Sequence, residues 1–329
     1  MTSVKAASGT AIAIAALALA TAPSFPSAVA SALAPTARLA PTITGTRAMA
    51  TALAGRAGDD QHGTERNWPG YPDLPARLPA ALSAGQRTPT ANAAVRNIGS
   101  AGSLNWSGYA VTRRGTFGSV QATFFVPYLN CAKSPGQTMS SEWAGLDGFV
   151  GSAESVEQVG IAADCSATGK ASYFAWSEMF PFAQISAPIS VLAGDSVTAQ
   201  VSYNPASGRF RLALSDNTRG ERFVRYRRCP DVHVGGKRLR CARNSAEVIA
   251  EAPATGSGKH VVIDHLSDYG AISFAYISIV DGAGRDGGLV SAHWAATKII
   301  QLRSSSGPIL ARPTQVQLNI FDSYWLRED

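Results

Sequence analysis

Between residues 197 and 214 the chain is patterned for a β-hairpin and for little else. Val197, Ala199, Val201 and Tyr203 are apolar while Thr198, Gln200 and Ser202 are polar, a period of two that sends one set to each face of a strand. Asn204-Pro-Ala-Ser-Gly208 supplies turn chemistry, and Phe210, Leu212 and Leu214 resume the alternation. Similar runs recur at 119–126, 156–161, 172–179, 246–250, 261–263, 272–279, 294–302 and 316–321. Short strands punctuated by Gly, Pro, Asn and Asp, with no amphipathic helical stretch, predict an all-β fold, a two-sheet antiparallel sandwich. No internal repeat interrupts the pattern after Leu104, so 104–329 is expected to be one domain.

Upstream the chain changes character. From Ser31 to about Gly102 it is rich in Ala, Pro, Thr and Gly, and Pro69-Gly-Tyr-Pro-Asp-Leu-Pro-Ala-Arg-Leu-Pro79 suits neither a long helix nor a paired strand. Such a stretch recovers little of its ordering entropy by burial, so 31–103 is expected to be poorly structured, as a linker or a pro-segment. Residues 1–30 have the three parts of an export signal: Lys5, the apolar run Ala11 to Ala20, and the small-x-small site Ala28-Val-Ala30. That apolar run is too short to span a bilayer, and no later stretch is long enough, so a secreted protein without a membrane span is expected.

Four cysteines agree with export. Cys131, Cys165, Cys229 and Cys241 suggest two disulfides; three pairings are possible, and nearness in sequence favours Cys131–Cys165 with Cys229–Cys241. Their spacing fits no zinc pattern, so no metal is expected. The net charge of +6 is uneven, since Arg219 to Arg243 packs nine Arg or Lys residues. Only Phe223 and Tyr226 interleave with them, which favours a solvated, disulfide-stapled loop over a nucleic-acid surface. Selection of acidic peptides or of a negatively charged cell surface is another use for that loop.

The usual catalytic signatures are missing: there is no HExxH, no GxSxG and no P-loop. What remains are carboxyl and amide groups. In an extended Ser245–Glu251 segment, Ala246, Val248 and Ala250 share the packing face, leaving Glu247 and Glu251 on the other. The same test places Phe174, Trp176, Glu178 and Phe180 together, and puts Gln158 beside Val156, Gly160 and Ala162, small neighbours that leave its amide approachable. A carboxyl group near aromatic walls holds its proton to higher pH, and an amide donates to a developing oxyanion. Glutamate plus glutamine is therefore adequate for direct attack of water on a peptide bond.

A set of landmarks then acquires a common meaning. Asn105-Trp-Ser-Gly-Tyr109, Val120-Gln-Ala-Thr-Phe-Phe-Val-Pro127, Trp143-Ala-Gly-Leu-Asp-Gly148 and the Gln158 strand come first. Trp176-Ser-Glu178, Gly194-Asp195 and Ser245-Ala-Glu247 follow in order. In order and spacing the set resembles the glutamic peptidases, or eqolisins, from Leu104 nearly to the C-terminus. The resemblance implies a concanavalin-like sandwich with a substrate groove, made as a secreted precursor, probing polypeptides as a monomer without a cofactor. It implies that Gln158 and Glu247 are the catalytic pair and that Trp143, Asp147, Trp176 and Glu178 are groove positions that support substrate or that pair. Three departures stand out: Val248 replaces a tryptophan expected to wall the groove, Ala162 replaces an aspartate, and 219–243 is inserted. The other function such an architecture hosts is a non-catalytic, lectin-like sandwich binding carbohydrate or peptide through Trp143 and Trp176.

Overall fold

The computed structural model describes residues 98–134, 136–150, 155–234, 237–255 and 262–327. The expected export signal (1–30) and all of the expected pro-segment or linker (31–103) except its last six residues lie outside them. Ten strands cover the first half: β1 (Gly99–Ser103), β2 (Trp106–Thr112), β3 (Phe117–Phe125), β4 (Thr138–Leu146), β5 (Glu157–Cys165), β6 (Ala171–Met179), β7 (Ile185–Ser186), β8 (Ser196–Asn204), β9 (Arg209–Asp216) and β10 (Glu221–Arg227). Ten more follow: β11 (His233–Val234), β12 (Lys237–Arg238), β13 (Ser245–Glu251), β14 (Ala254–Thr255), β15 (Val262–Ile263), β16 (Ala271–Asp281), β17 (Asp286–Gly287), β18 (Ala295–Leu302), β19 (Ile309–Pro313) and β20 (Phe321–Trp325). A 3-10 turn at Cys131–Lys133 is the helical element among the described residues, and no helix there is long and apolar enough to cross a membrane.

Hydrogen bonding runs continuously through β10-β9-β8-β3-β16-β20-β19-β18-β2-β13-β4-β5-β6-β7. The path folds back on itself, so that β4 and β5 pack across β8, β5 also meets β9, and β13 and β4 lie over β3. The result is an all-β sandwich, two antiparallel layers joined through β19 and β20. Its core holds the inward residues of both layers: Val197, Ala199, Val201, Phe210, Leu212 and Leu214 from the hairpin, facing Ala144, Val159, Ile161, Ala246 and Val248. Period-two patterning produced this directly, because each strand buries one face against the opposing layer.

Three stretches differ from the sequence expectation. The run 316–321 is a turn rather than a strand. Leu318 and Asn319 both take positive φ (50° and 61°), Gln317 and Ile320 exchange backbone hydrogen bonds, and the strand starts at Phe321. Two positive-φ residues make the tight hairpin turn that matches strand twist, which apolar alternation does not reveal. The basic stretch 219–243 is only partly a loop: its first third, β10, pairs with β9 in full register from Glu221↔Asp216 to Arg227↔Phe210. Finally, β1 precedes Leu104 and pairs in parallel with β18 (Ser103↔Gln301), so Gly99–Ser103 belongs to the sheet despite its glycines.

Both disulfides join the pairs nearest in sequence. Cys131–Cys165, with Cα atoms 5.3 Å apart, ties the turn before β4 to the end of β5. Cys229–Cys241, at 5.8 Å, closes the segment after β10. With all four cysteines bridged there is no free thiol to act as a nucleophile.

Candidate functional site

Register brings the candidate residues together. In adjacent strands β13, β4, β5 and β6, Glu247 lies opposite Gly145, Gly145 opposite Gln158, and Gln158 opposite Glu178. Residues directly opposite in an antiparallel ladder project to one face, so Glu247, Gln158 and Glu178 stand in a line on the same side. Between the first two there is no side chain, only Gly145. Two strand spacings separate their backbones, roughly 10 Å. Two side chains can reach toward one another across such a gap, over the glycine.

The glycine keeps that gap open. A Cβ on Gly145 would lie 2.9 Å from the Trp143 ring, 3.1 Å from the Glu157 carbonyl oxygen and 3.2 Å from the Gln158 Cβ. Trp106, Trp143, Trp176, Val156, Ala162 and Ile249 form a second apolar cluster on this face, with Phe149, Phe174 and Phe180 half-buried against it. Trp106 meets Trp143 edge-on, ring centroids 5.1 Å apart. The row of polar groups is thus set in an aromatic wall on the face away from the interlayer core.

Val248 belongs to that interlayer core, not to the groove wall. The replacement of tryptophan there alters packing between layers and leaves the aromatic face untouched, a correction to the sequence expectation. Alternation explains it: Val248 is one residue from Glu247 and therefore points the opposite way.

Gln158 Nε2 donates to Glu178 Oε2 at 2.5 Å. One amide hydrogen is thereby held by a carboxylate, which orients the group and leaves its second hydrogen for another acceptor. Gln158 and Glu247 are both 0 % exposed and Glu178 is 2 % exposed. The sequence leads one to expect an approachable groove; the structure seals the row from solvent.

Asp147 supports the row from its end. It takes positive φ (66°), and its carboxylate accepts the backbone N–H groups of Arg243 (2.7 Å) and Asn244 (2.9 Å). Its own N–H donates to the Ser245 carbonyl at 3.1 Å, so Asp147 sets where β13 begins, two residues before Glu247. The resemblance gave Asp147 a part in supporting substrate or the catalytic pair; its contacts anchor the strand carrying Glu247. Glu157, which sequence reasoning missed, is buried behind the row, close to Asp147. Burial, then the negative charge of Asp147 and of Glu247, push its carboxyl well above the ordinary range, while Arg243 partly opposes the shift. Ser155 Oγ donates to Glu157 Oε1 and lies 3.0 Å from Cys241 Sγ, linking this acid to the second disulfide. Alternation could have flagged Glu157 as an inward carboxyl, being the neighbour of Gln158 on an otherwise apolar strand face.

Glu251 shares the face of Glu247 but its oxygens are engaged: Asn105 Nδ2 donates to Oε1 at 2.8 Å and Trp143 Nε1 to Oε2 at 2.7 Å. It fixes the Trp143 indole in the wall and holds the start of β2. Trp176, across β5 from Trp143, packs in the same wall; both meet the chain at Gly160, where a Cβ would come 2.7 Å from the Trp143 Cβ.

The family model described as the Peptidase A4 family matches residues 104–317. Among solved structures, scytalido-glutamic peptidase with a transition state analog inhibitor is similar, with a TM-score of 0.55 and 19% identity over 68% of this chain and 98% of that one. SCP-B, a member of the eqolisin family in a complex with the tripeptide Ala-Ile-His, has a TM-score of 0.53 and 18% identity, again over 68% of this chain and 98% of that one. At such identities the likeness is one of fold. No curated protein sequence matches the chain.

Proposed function

Because this chain belongs to the Peptidase A4 family and is a hydrolase of peptide bonds, we propose that Glu247 and Gln158 are its catalytic pair, acting on polypeptides at acidic pH. The observation that carries this reading is the row itself: a carboxyl and an amide on one face, separated only by Gly145. Water sits between them. The Glu247 carboxylate removes a proton from it as its oxygen bonds to the scissile carbonyl carbon. The carbonyl oxygen becomes an oxyanion and takes a hydrogen bond from the Gln158 N–H that Glu178 leaves available. Glu247 then returns the proton to the peptide nitrogen, the C–N bond breaks, and a carboxylic acid and an amine depart. No covalent intermediate forms.

Because the row is sealed, a polypeptide reaches it only when this face opens. That requirement suits an enzyme made as a precursor. We take residues 1–30 to be the export signal and the stretch before β1 to be removed on maturation, which leaves β1 in the sheet. N-terminal sequencing of the secreted protein tests that boundary; a mature chain starting beyond Ser103 contradicts it.

The pair is tested by incubating the protein with a denatured polypeptide at about pH 4, where free carboxyl groups are half ionised. Glu247→Gln and Gln158→Ala should each lower cleavage by at least about two orders of magnitude while circular dichroism stays unchanged. Chelators and serine-directed reagents should have no effect. Full activity in either variant sinks the assignment.

A further inference from the structure

The two free ends of the sheet path face one another across a cavity of about 150 Å³. One wall is Ser177, Glu178, Met179, Phe182 and Ile185; the other includes Leu212, Arg225, Arg227 and Pro230. Strand register explains why arginines are there. Arg225 lies opposite Leu212 and Arg227 opposite Phe210, and both partners are core residues, so the two guanidinium stems leave β10 on its inward face. The Nη1 of Arg225 is shut off from solvent without a hydrogen-bond partner among the described residues. Its charge is only partly cushioned by the Phe223 ring, 5.1 Å from the guanidinium carbon. Burial and the like charge of Arg227 both work against it. Among the lining residues the one acid is Glu178, and the Oε2 of Glu178 is engaged by Gln158.

An inward cation on an edge strand also discourages strand-to-strand aggregation. That role needs neither a cavity nor a buried, unpaired Nη1. A buried guanidinium donor facing an apolar hollow is a strong attractor for a carboxylate, because pairing restores what desolvation removed. The hollow is also walled by the segment of β6 that orients Gln158, on the interlayer side of that strand, where Met179 joins the core.

We propose that this cavity is a subsite for a carboxylate of the polypeptide substrate, with Arg225 and Arg227 as the residues that select it. The proposal rests on the reading of the Glu247–Gln158 row as the peptidase site. The carboxylate is either an aspartate or glutamate side chain or the free C-terminus of a peptide. At the acidic pH of cleavage, discrimination fades as such groups become protonated, so selectivity sharpens as the pH rises through the ordinary carboxylate range.

The test uses matched peptides that differ only as Glu against Gln, each with a free or an amidated C-terminus. Their binding to the full-length wild-type protein is measured by calorimetry at about pH 6, where peptide carboxyl groups are ionised, with mass spectrometry verifying that the peptides survive the titration. A peptide bearing the right carboxylate should bind on the order of tenfold more tightly than its neutral counterpart. Which pair differs identifies the source. Arg225→Gln should bring that ratio close to one; if it does not fold, Arg227→Gln, an exposed side chain, should lower the ratio instead. Equal binding of charged and neutral peptides, or no binding of either, overturns the proposal, as does a preference that persists in the folded variants. Failure of wild-type protein to cleave any polypeptide would instead defeat the catalytic reading, and the binding ratio would still decide the subsite.

Discussion

At the scale of single residues, the site depends on a missing side chain as much as on those present. Gly145 stands between Glu247 and Gln158, and a methyl there meets the Trp143 ring at 2.9 Å. Gly145→Ala should therefore lower kcat by about a hundredfold or more by misplacing the amide. Its melting temperature should fall by only a few degrees, since one ring can shift. A variant with normal kcat would mean that water and carbonyl are not held over Gly145. Glu178→Ala should also reduce kcat, on the order of tenfold, because the Gln158 amide loses the acceptor that orients it; Glu178→Gln, whose carbonyl oxygen still accepts, should recover part of the loss. Equal activities of these two variants would remove the orienting role. The sequence made the Gln158 and Glu247 faces legible through alternation, yet gave no sign that Glu178 and Gln158 touch. That contact is a matter of register between β5 and β6.

At the scale of elements, β13 carries Glu247 and is positioned from outside itself. It is flanked by β2 and β4, and its start is set by the Asp147 carboxylate on two successive backbone N–H groups. Asp147→Asn keeps one acceptor and turns an amide NH2 toward the other N–H. We expect a loss of about 1–3 kcal/mol, or roughly 3–10 °C in a domain of this size, readable by calorimetry. Unchanged melting would show that β13 is held by its neighbours alone. The same scale explains two misreadings. The basic segment was legible as a charged, stapled stretch, but β10 pairs because β9 offers a free edge, and charge on one face does not prevent that. At 316–321 apolar alternation favours a strand, while the backbone at Leu318 and Asn319 takes the turn.

At the scale of the molecule, the buried acids set a direction with pH. Glu142 is fully enclosed near Ser140, Asp164, Tyr173 and Tyr269; burial foremost, with the charge of Asp164 adding and Ser140 opposing, pushes its carboxyl up to about 8. Asp164 is likewise pushed up to about 7, mainly by burial and further by Asp264. A group whose proton is held more tightly in the folded state contributes fully below its unfolded value and loses that contribution as pH rises through the folded one. Stability should thus decline from about pH 4.5 to about pH 8, by an amount on the order of a few kcal/mol. Glu142→Gln should flatten the plot of melting temperature against pH over that window. A plot as steep as that of the wild type would assign the decline to other groups. Such a decline toward neutrality would agree with the proposed cleavage in acid.

The chain alone determined which residues face inward, because period two is written in side-chain polarity and water enforces it at every strand. From this came the sandwich, the two separate faces of β13, and the grouping of Trp176 with Glu178. The tertiary structure alone decided which strands became neighbours and in what register. It alone placed a glycine between the acid and the amide, sent Val248 to the core, and lined a hollow with arginines. Such pairings join residues far apart in the chain, and their free energy is collected only when the layers close, so no local pattern records them.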